Sequence, residues 1–189
     1  MSDPVTGLKG AHFTGDISVT DAGLIGMISI RGDFNAPAFR NAVAAVTGHA
    51  VPETRAISGD ATGGLAWMSP DELLYFCSYA EAPSKADALS DQLTGTHHMV
   101  AVISDARAVF RLSGAGVRDV LAKGAPVDLD PARMGAGEIR RTRLGQVAVA
   151  FWFAERDVVE LVCFRSVAGF VMDWFEVTAH AGSEVGFHG

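Results

Sequence analysis

Ser104-Asp-Ala-Arg-Ala-Val-Phe-Arg-Leu-Ser-Gly-Ala-Gly-Val-Arg-Asp-Val-Leu-Ala-Lys-Gly-Ala-Pro-Val-Asp-Leu-Asp130 reads as strand, glycine turn, short helix, stop and second apolar anchor. Ala108 to Leu112 has the apolar, β-branched character of a strand. Ser113 stands where a helix cap belongs, and Val117, Val120 and Leu121 share one helical face. Gly124 supplies the stop.

The layout of this tract continues downstream and is echoed upstream. Glu138 to Leu144 reads as a strand, and Gln146 to Phe153 with Val158 to Phe164 as a hairpin. Ser166 then caps a helix with Val167, Phe170, Val171 and Trp174 on one face. Upstream, Gly23 to Arg31 is a strand, followed by Asn35 as a cap, Pro37 in the first helical turn, and Phe39, Val43 and Val46 on one face. Gly48 ends that helix. A strand near Thr54 to Ser58, a hairpin across Ser69-Pro-Asp-Glu72, and a helix with Ser84, Asp87, Leu89 and Leu93 complete the first half. Counted from Ser84 to Ser166, the offset between halves is about 82 residues.

The fold class expected is therefore α+β, with an internally duplicated β-α-β-β-β-α unit. The expected boundaries are a mobile N-terminal segment over residues 1–22, one domain over 23–180 built from pseudo-repeats at about 23–96 and 105–180, and a C-terminal tail over 181–189. Val147-Ala-Val-Ala-Phe-Trp-Phe153 is apolar on both sides, so one face meets the core and the other meets helices or another chain.

Composition narrows the function classes. The 189 residues carry a net charge of −7, which disfavours general nucleic-acid binding. No apolar run approaches the roughly 20 residues that span a bilayer, and the N-terminus lacks a secretory pattern; a cytoplasmic protein is expected. Cys77 and Cys163 lie inside apolar runs and read as buried thiols.

Each candidate motif has a plainer reading. Gly114-Ala-Gly116 invites a dinucleotide reading, but Asp119 stands where the third glycine is needed and would repel a pyrophosphate. His97-His98 on a strand would point to opposite faces and could not share a metal. His180 and His188 have no companion ligands; Asp105 and Asp128 read as turn caps. No catalytic, cofactor-binding or metal-binding residue is assigned. Arg140, Arg141 and Arg143, with Arg133 upstream, form a basic cluster. It is either the solvated face of an edge strand or a contact patch for an acidic surface or anionic ligand. With Phe151 and Trp152 nearby, it is the candidate subunit interface.

Asp105 to Leu129, Thr142-Arg-Leu-Gly-Gln-Val-Ala-Val149, Phe164-Arg-Ser-Val-Ala-Gly-Phe-Val-Met-Asp-Trp174 and Trp67-Met-Ser-Pro-Asp-Glu-Leu-Leu74 together resemble the gamma subunit of heterotetrameric sarcosine oxidase. The resemblance runs from about Gly23 to the last helix. It implies the folate-binding fold of the glycine cleavage T-protein, and partner alpha, beta and delta subunits. In that family FAD, FMN, NAD, tetrahydrofolate and zinc belong to the partners, and gamma carries no catalytic residue. The complex oxidises sarcosine to glycine with oxygen. Ala125 stands where the family commonly has Cys. A stand-alone folate-binding or one-carbon-transfer protein is the alternative. A tRNA-modifying relative is disfavoured, because the Lys-Gly-Cys-x-x-Gly-Gln-Glu signature is absent.

Overall fold

The computed structural model describes residues 3–186. In chain order the elements are β1 (His12–Thr14), β2 (Ser18–Asp21), β3 (Ile25–Gly32), α1 (Pro37–Thr47), β4 (Ile57–Asp60), β5 (Gly63–Ser69), β6 (Glu72–Ser78), α2 (Ala82–Gln92), β7 (His98–Val102), β8 (Arg107–Ser113), α3 (Val117–Ala122), β9 (Ile139–Leu144), β10 (Val147–Glu155), β11 (Val158–Phe164) and α4 (Ala168–Thr178). Short 3₁₀ turns precede α2, β8 and α4.

The chain forms two compact units. One is Leu24–Ser104; the other joins the N-terminal residues through Gly23 to Asp105 and beyond. The first holds a five-stranded sheet in the order β4-β5-β6-β3-β7. The second holds a six-stranded sheet in the order β1-β2-β8-β11-β10-β9. Every strand pair within the two sheets is antiparallel. Each unit thus contains β-α-β-β-β-α with the same strand order, which is the duplication expected of the sequence.

The likeness extends to single residues. Ser78 and Phe164 each end the last strand of their repeat, so the preceding Cys77 and Cys163 are equivalent. Each hairpin also has a bulge at one place, between Trp67 and Ser69 and between Phe153 and Glu155. The spacing between equivalents is not constant. Ile25 opens β3 where Arg107 opens β8, but Ala82 opens α2 where Ala168 opens α4. Ser84 lies inside α2 and Ser166 in the 3₁₀ turn before α4, so these serines are not counterparts.

Alternation along the strands builds one core per unit. Ile28, Ile30, Leu65, Leu73, Tyr75 and Cys77 meet Phe39 and Val43 of α1 and Leu89 of α2. In the second unit Phe110, Leu112, Phe151, Phe153, Leu161 and Cys163 meet Val117 and Leu121 of α3 and Val171 and Phe175 of α4. The opposite face of each sheet also carries buried residues, among them Met27, Leu74, Phe76, Val109, Trp152 and Val162.

The chain ends differ from expectation. Within residues 1–22, the segments His12–Thr14 and Ser18–Asp21 are strands, and Ile17 and Val19 are core residues. β2 extends the second sheet by pairing Ser18 with Ser113 and Asp21 with Phe110. Residues 181–186 are held rather than trailing. The Asp16 carboxylate accepts from the Gly182 and Ser183 N–H groups at 2.8 and 3.1 Å. Lys123 Nζ donates to Thr178 O at 2.5 Å and to Ser183 O at 2.6 Å, and Asp119 accepts from the Gly186 N–H at 2.9 Å. His188 lies outside the described residues.

Candidate interaction surface

The arginine cluster does not form one patch, because β9 alternates. Arg140 lies on the same face as Leu144 and opposite Phe151, whereas Arg141 and Arg143 share the other face and stand opposite Ala150 and Ala148. The Arg140 guanidinium is half-buried and bonded locally. It donates to Ile139 O at 3.0 Å and to Arg133 O at 3.3 Å, and lies 3.4 Å from Glu138 Oε1. Arg141, Arg143 and Arg133 are exposed. β9 is an edge strand.

Phe151 and Trp152 are both 0% exposed, one on each side of β10. Neither offers side-chain surface to a partner, so the aromatic part of the expected interface is withdrawn. Along β10 the residues from Val149 to Phe153 are buried on both faces.

The glycine turn of the opening tract is a packing device. Gly114 has φ of +138°, and a Cβ there would stand 3.3 Å from Ile17. Its N–H already donates to Asp157 O at 3.0 Å. Asp119 is buried and holds Gly186. Arg118 is also buried, lying 3.8 Å over the Phe153 ring and donating to Leu129 O at 2.6 Å. Burial pushes its pKa down from the usual value, against the pull of Asp157 and Asp130.

Other chemistry-bearing residues have comparable local roles. Burial pushes the Cys163 thiol up to about 12 and raises Cys77. A thiol held neutral is a poor nucleophile and metal ligand. His97 is exposed, and half-buried His98 has Nδ1 3.0 Å from Thr96 O. Exposed His180 has Nδ1 3.0 Å from Ala181 O. Asp128 accepts from the Asp130 N–H at 3.1 Å, a turn bond, and Asp105 lies in a 3₁₀ turn. Among the described residues, no three His, Cys, Asp or Glu side chains gather as a metal-binding group. No helix among them is long and apolar enough to cross a membrane.

Among the described residues, one depression of about 650 Å³ is lined by Val5, Lys9, Asp105, Phe164 and Arg165. Exposed Phe164 has the Arg107 guanidinium 3.8 Å above its ring, and Arg165 donates to Val5 O at 2.7 Å. Another, of about 310 Å³, lies beside β7 and is lined by Arg31, Asp71, His97, His98 and Met99. Its arginine is paired with Asp71 at 3.2 Å and Glu72 at 2.9 Å. β7 was missed in the sequence; its signal is the apolar run Met99 to Ile103.

The chain matches the model of the sarcosine oxidase, gamma subunit family over residues 31–181. It belongs to that family. A chain of the heterotetrameric sarcosine oxidase from Corynebacterium sp. U-96, solved in complex with pyrrole 2-carboxylate, superposes with a TM-score of 0.80 at 24% identity. The match covers 89% of this gamma-family chain and 87% of that one. The glycine cleavage system aminomethyltransferase T from Bartonella henselae superposes with a TM-score of 0.61 at 12% identity, over 86% of this chain and 46% of that protein. These likenesses show the shared fold expected of the resemblance. None of the curated proteins matches the chain in sequence.

Proposed function

We propose that this chain is the non-catalytic gamma subunit of a heterotetrameric sarcosine oxidase. It supports assembly of a cytoplasmic complex with alpha, beta and delta subunits. That complex oxidatively demethylates sarcosine to glycine. FAD, FMN, NAD, tetrahydrofolate and zinc are held by the partners. The observation that carries the reading is the family match over residues 31–181. The local chemistry agrees with it. Arg118, Asp119, Lys123 and Asp16 each hold part of the chain's own fold.

Co-expression with candidate alpha, beta and delta subunits tests the proposal. The gamma chain is expected to co-purify in constant ratio with the others and to raise the yield of active oxidase. Full oxidase assembly with this chain left free refutes it. A second reading, a stand-alone folate-binding or one-carbon-transfer protein, draws on the fold shared with aminomethyltransferase T. Titration of the isolated chain with a reduced folate separates the two. Saturable binding would favour this second reading, and its absence would remove it.

A further inference from the structure

The two repeats differ at one sheet edge. In the second unit β8 is flanked by β2, and β2 is covered in turn by β1. In the first unit β3 is flanked by β7, and among the described residues no strand lies beyond β7. Because Arg31 of β3 corresponds to Ser113 of β8, their partners Met99 and Ser18 correspond, as do Val100 and Val19. Phe13 of β1 sits opposite Val19, which is 0% exposed. Val100, its counterpart, is only half-buried. The site that β1 fills in one repeat is open in the other.

That edge is ready to pair. The Ile103 N–H donates to Met27 O, so alternation directs the main-chain groups of Val102, Val100 and His98 away from β3. Met99 and Val102, on opposite faces of β7, are 43% and 44% exposed. The strand carries no proline, lysine or acidic residue, the usual guards of an open edge.

Building on the subunit reading, we infer that an extended segment of a partner subunit adds to β7 as an antiparallel strand, in the place that β1 takes beside β2. Its main chain bonds to Val100 and Val102, and an apolar side chain stands opposite Val100 as Phe13 stands opposite Val19. The 310 Å³ recess of Arg31, Asp71, His97 and His98 receives one end of that segment. A second copy of this chain is a poorer occupant, because each copy carries a net charge of −7.

Residue-resolved hydrogen exchange on the full chain alone and in the assembled oxidase tests this. The Val100 and Val102 amides exchange freely in the isolated chain and slow at least ten-fold in the complex. The Met99 and Ala101 amides, which point to β3, are protected in both. Val102→Pro removes an outward N–H without breaking the β3 ladder. It lowers affinity for the partners at least ten-fold, while Val102→Thr, which keeps the N–H, retains it. Thermal melting of the isolated variants confirms that both fold. Assembly with Val100 and Val102 still exchanging freely overturns this inference and leaves the subunit reading standing. So does wild-type affinity of folded Val102→Pro, or a homodimer that protects the same amides. Failure of the wild-type chain to associate overturns both.

Discussion

Phe151→Ala and Arg141→Glu separate core from surface on neighbouring strands. Phe151 has no exposed surface and stands on the helix-facing side of β10, opposite Leu161 on one flank and Arg140 on the other. Burying an aromatic side chain removes about 150–250 Å² from water. At about 25 cal/mol per Å² that is worth roughly 4–6 kcal/mol. Measured Phe-to-Ala replacements in cores cost about 3–5 kcal/mol. A loss of about 4 kcal/mol is expected here. With a urea slope of about 2.5 kcal/mol per molar, the unfolding midpoint of the isolated chain falls by about 1.6 M. Arg141 is exposed, and its charge reversal changes stability by no more than about 0.5 kcal/mol. It weakens association with the partner subunits instead. Urea unfolding of the isolated variants, followed by pull-down on the partners, reads both effects. If Phe151→Ala moves the midpoint by less than about 0.4 M, the burial argument is wrong. If Arg141→Glu destabilises the fold yet associates normally, the surface argument is wrong.

Three further outcomes follow from the ends of the chain and the cysteines. At Asp16 burial pushes the carboxyl upward, but bonds from Gly182 and Ser183 outweigh it and hold the pKa below the usual 3.8. Its stabilising contribution is therefore complete above about pH 4 and is lost as pH falls through the lower folded value. Asp16→Asn flattens the acid-unfolding curve below pH 4 and speeds amide exchange at Gly182 and Ser183; an unchanged acid limb would contradict this. Lys123→Met removes the bonds to Thr178 and Ser183 and costs about 1.5–3 kcal/mol, read by urea unfolding, with a loss under about 0.5 kcal/mol counting against it. Cys163, pushed up to about 12, resists iodoacetamide at pH 8 in the folded chain and reacts after denaturation; rapid labelling of the native protein would falsify its burial.

The duplication was legible because long apolar hairpins and helices carry their own periodicity. The helix starts were less so. Asn35 reads as a cap, but its N–H is taken by Asp33 Oδ1 at 2.9 Å, and Ala36 occupies the cap position. Ser166 reads as a cap, yet α4 grows out of a 3₁₀ turn that contains it. Capping by side chain is a local inference, and here preceding turns displaced it. β1, β2 and β7 are three to five residues long and gain their order from partners remote in the chain, such as Ser113 for Ser18. A window of that length carries almost no periodic signal.

The candidate interface divides for a reason the sequence contained, and only its exposed arginines remain available to a partner. Residues adjacent in a strand face opposite ways, so Arg140 could never have joined Arg141 and Arg143 in one patch. The same rule divides Phe151 from Trp152, and burial of both faces then removes the pair from any surface. What neither periodicity nor charge could reveal is the asymmetry between the repeats. It appears only when Val19 under Phe13 is set beside half-buried Val100. A duplicated unit is its own control: where one copy covers an edge with its own chain and the other does not, the uncovered edge is where pairing with another subunit adds hydrogen bonds and apolar burial without disturbing the existing sheet.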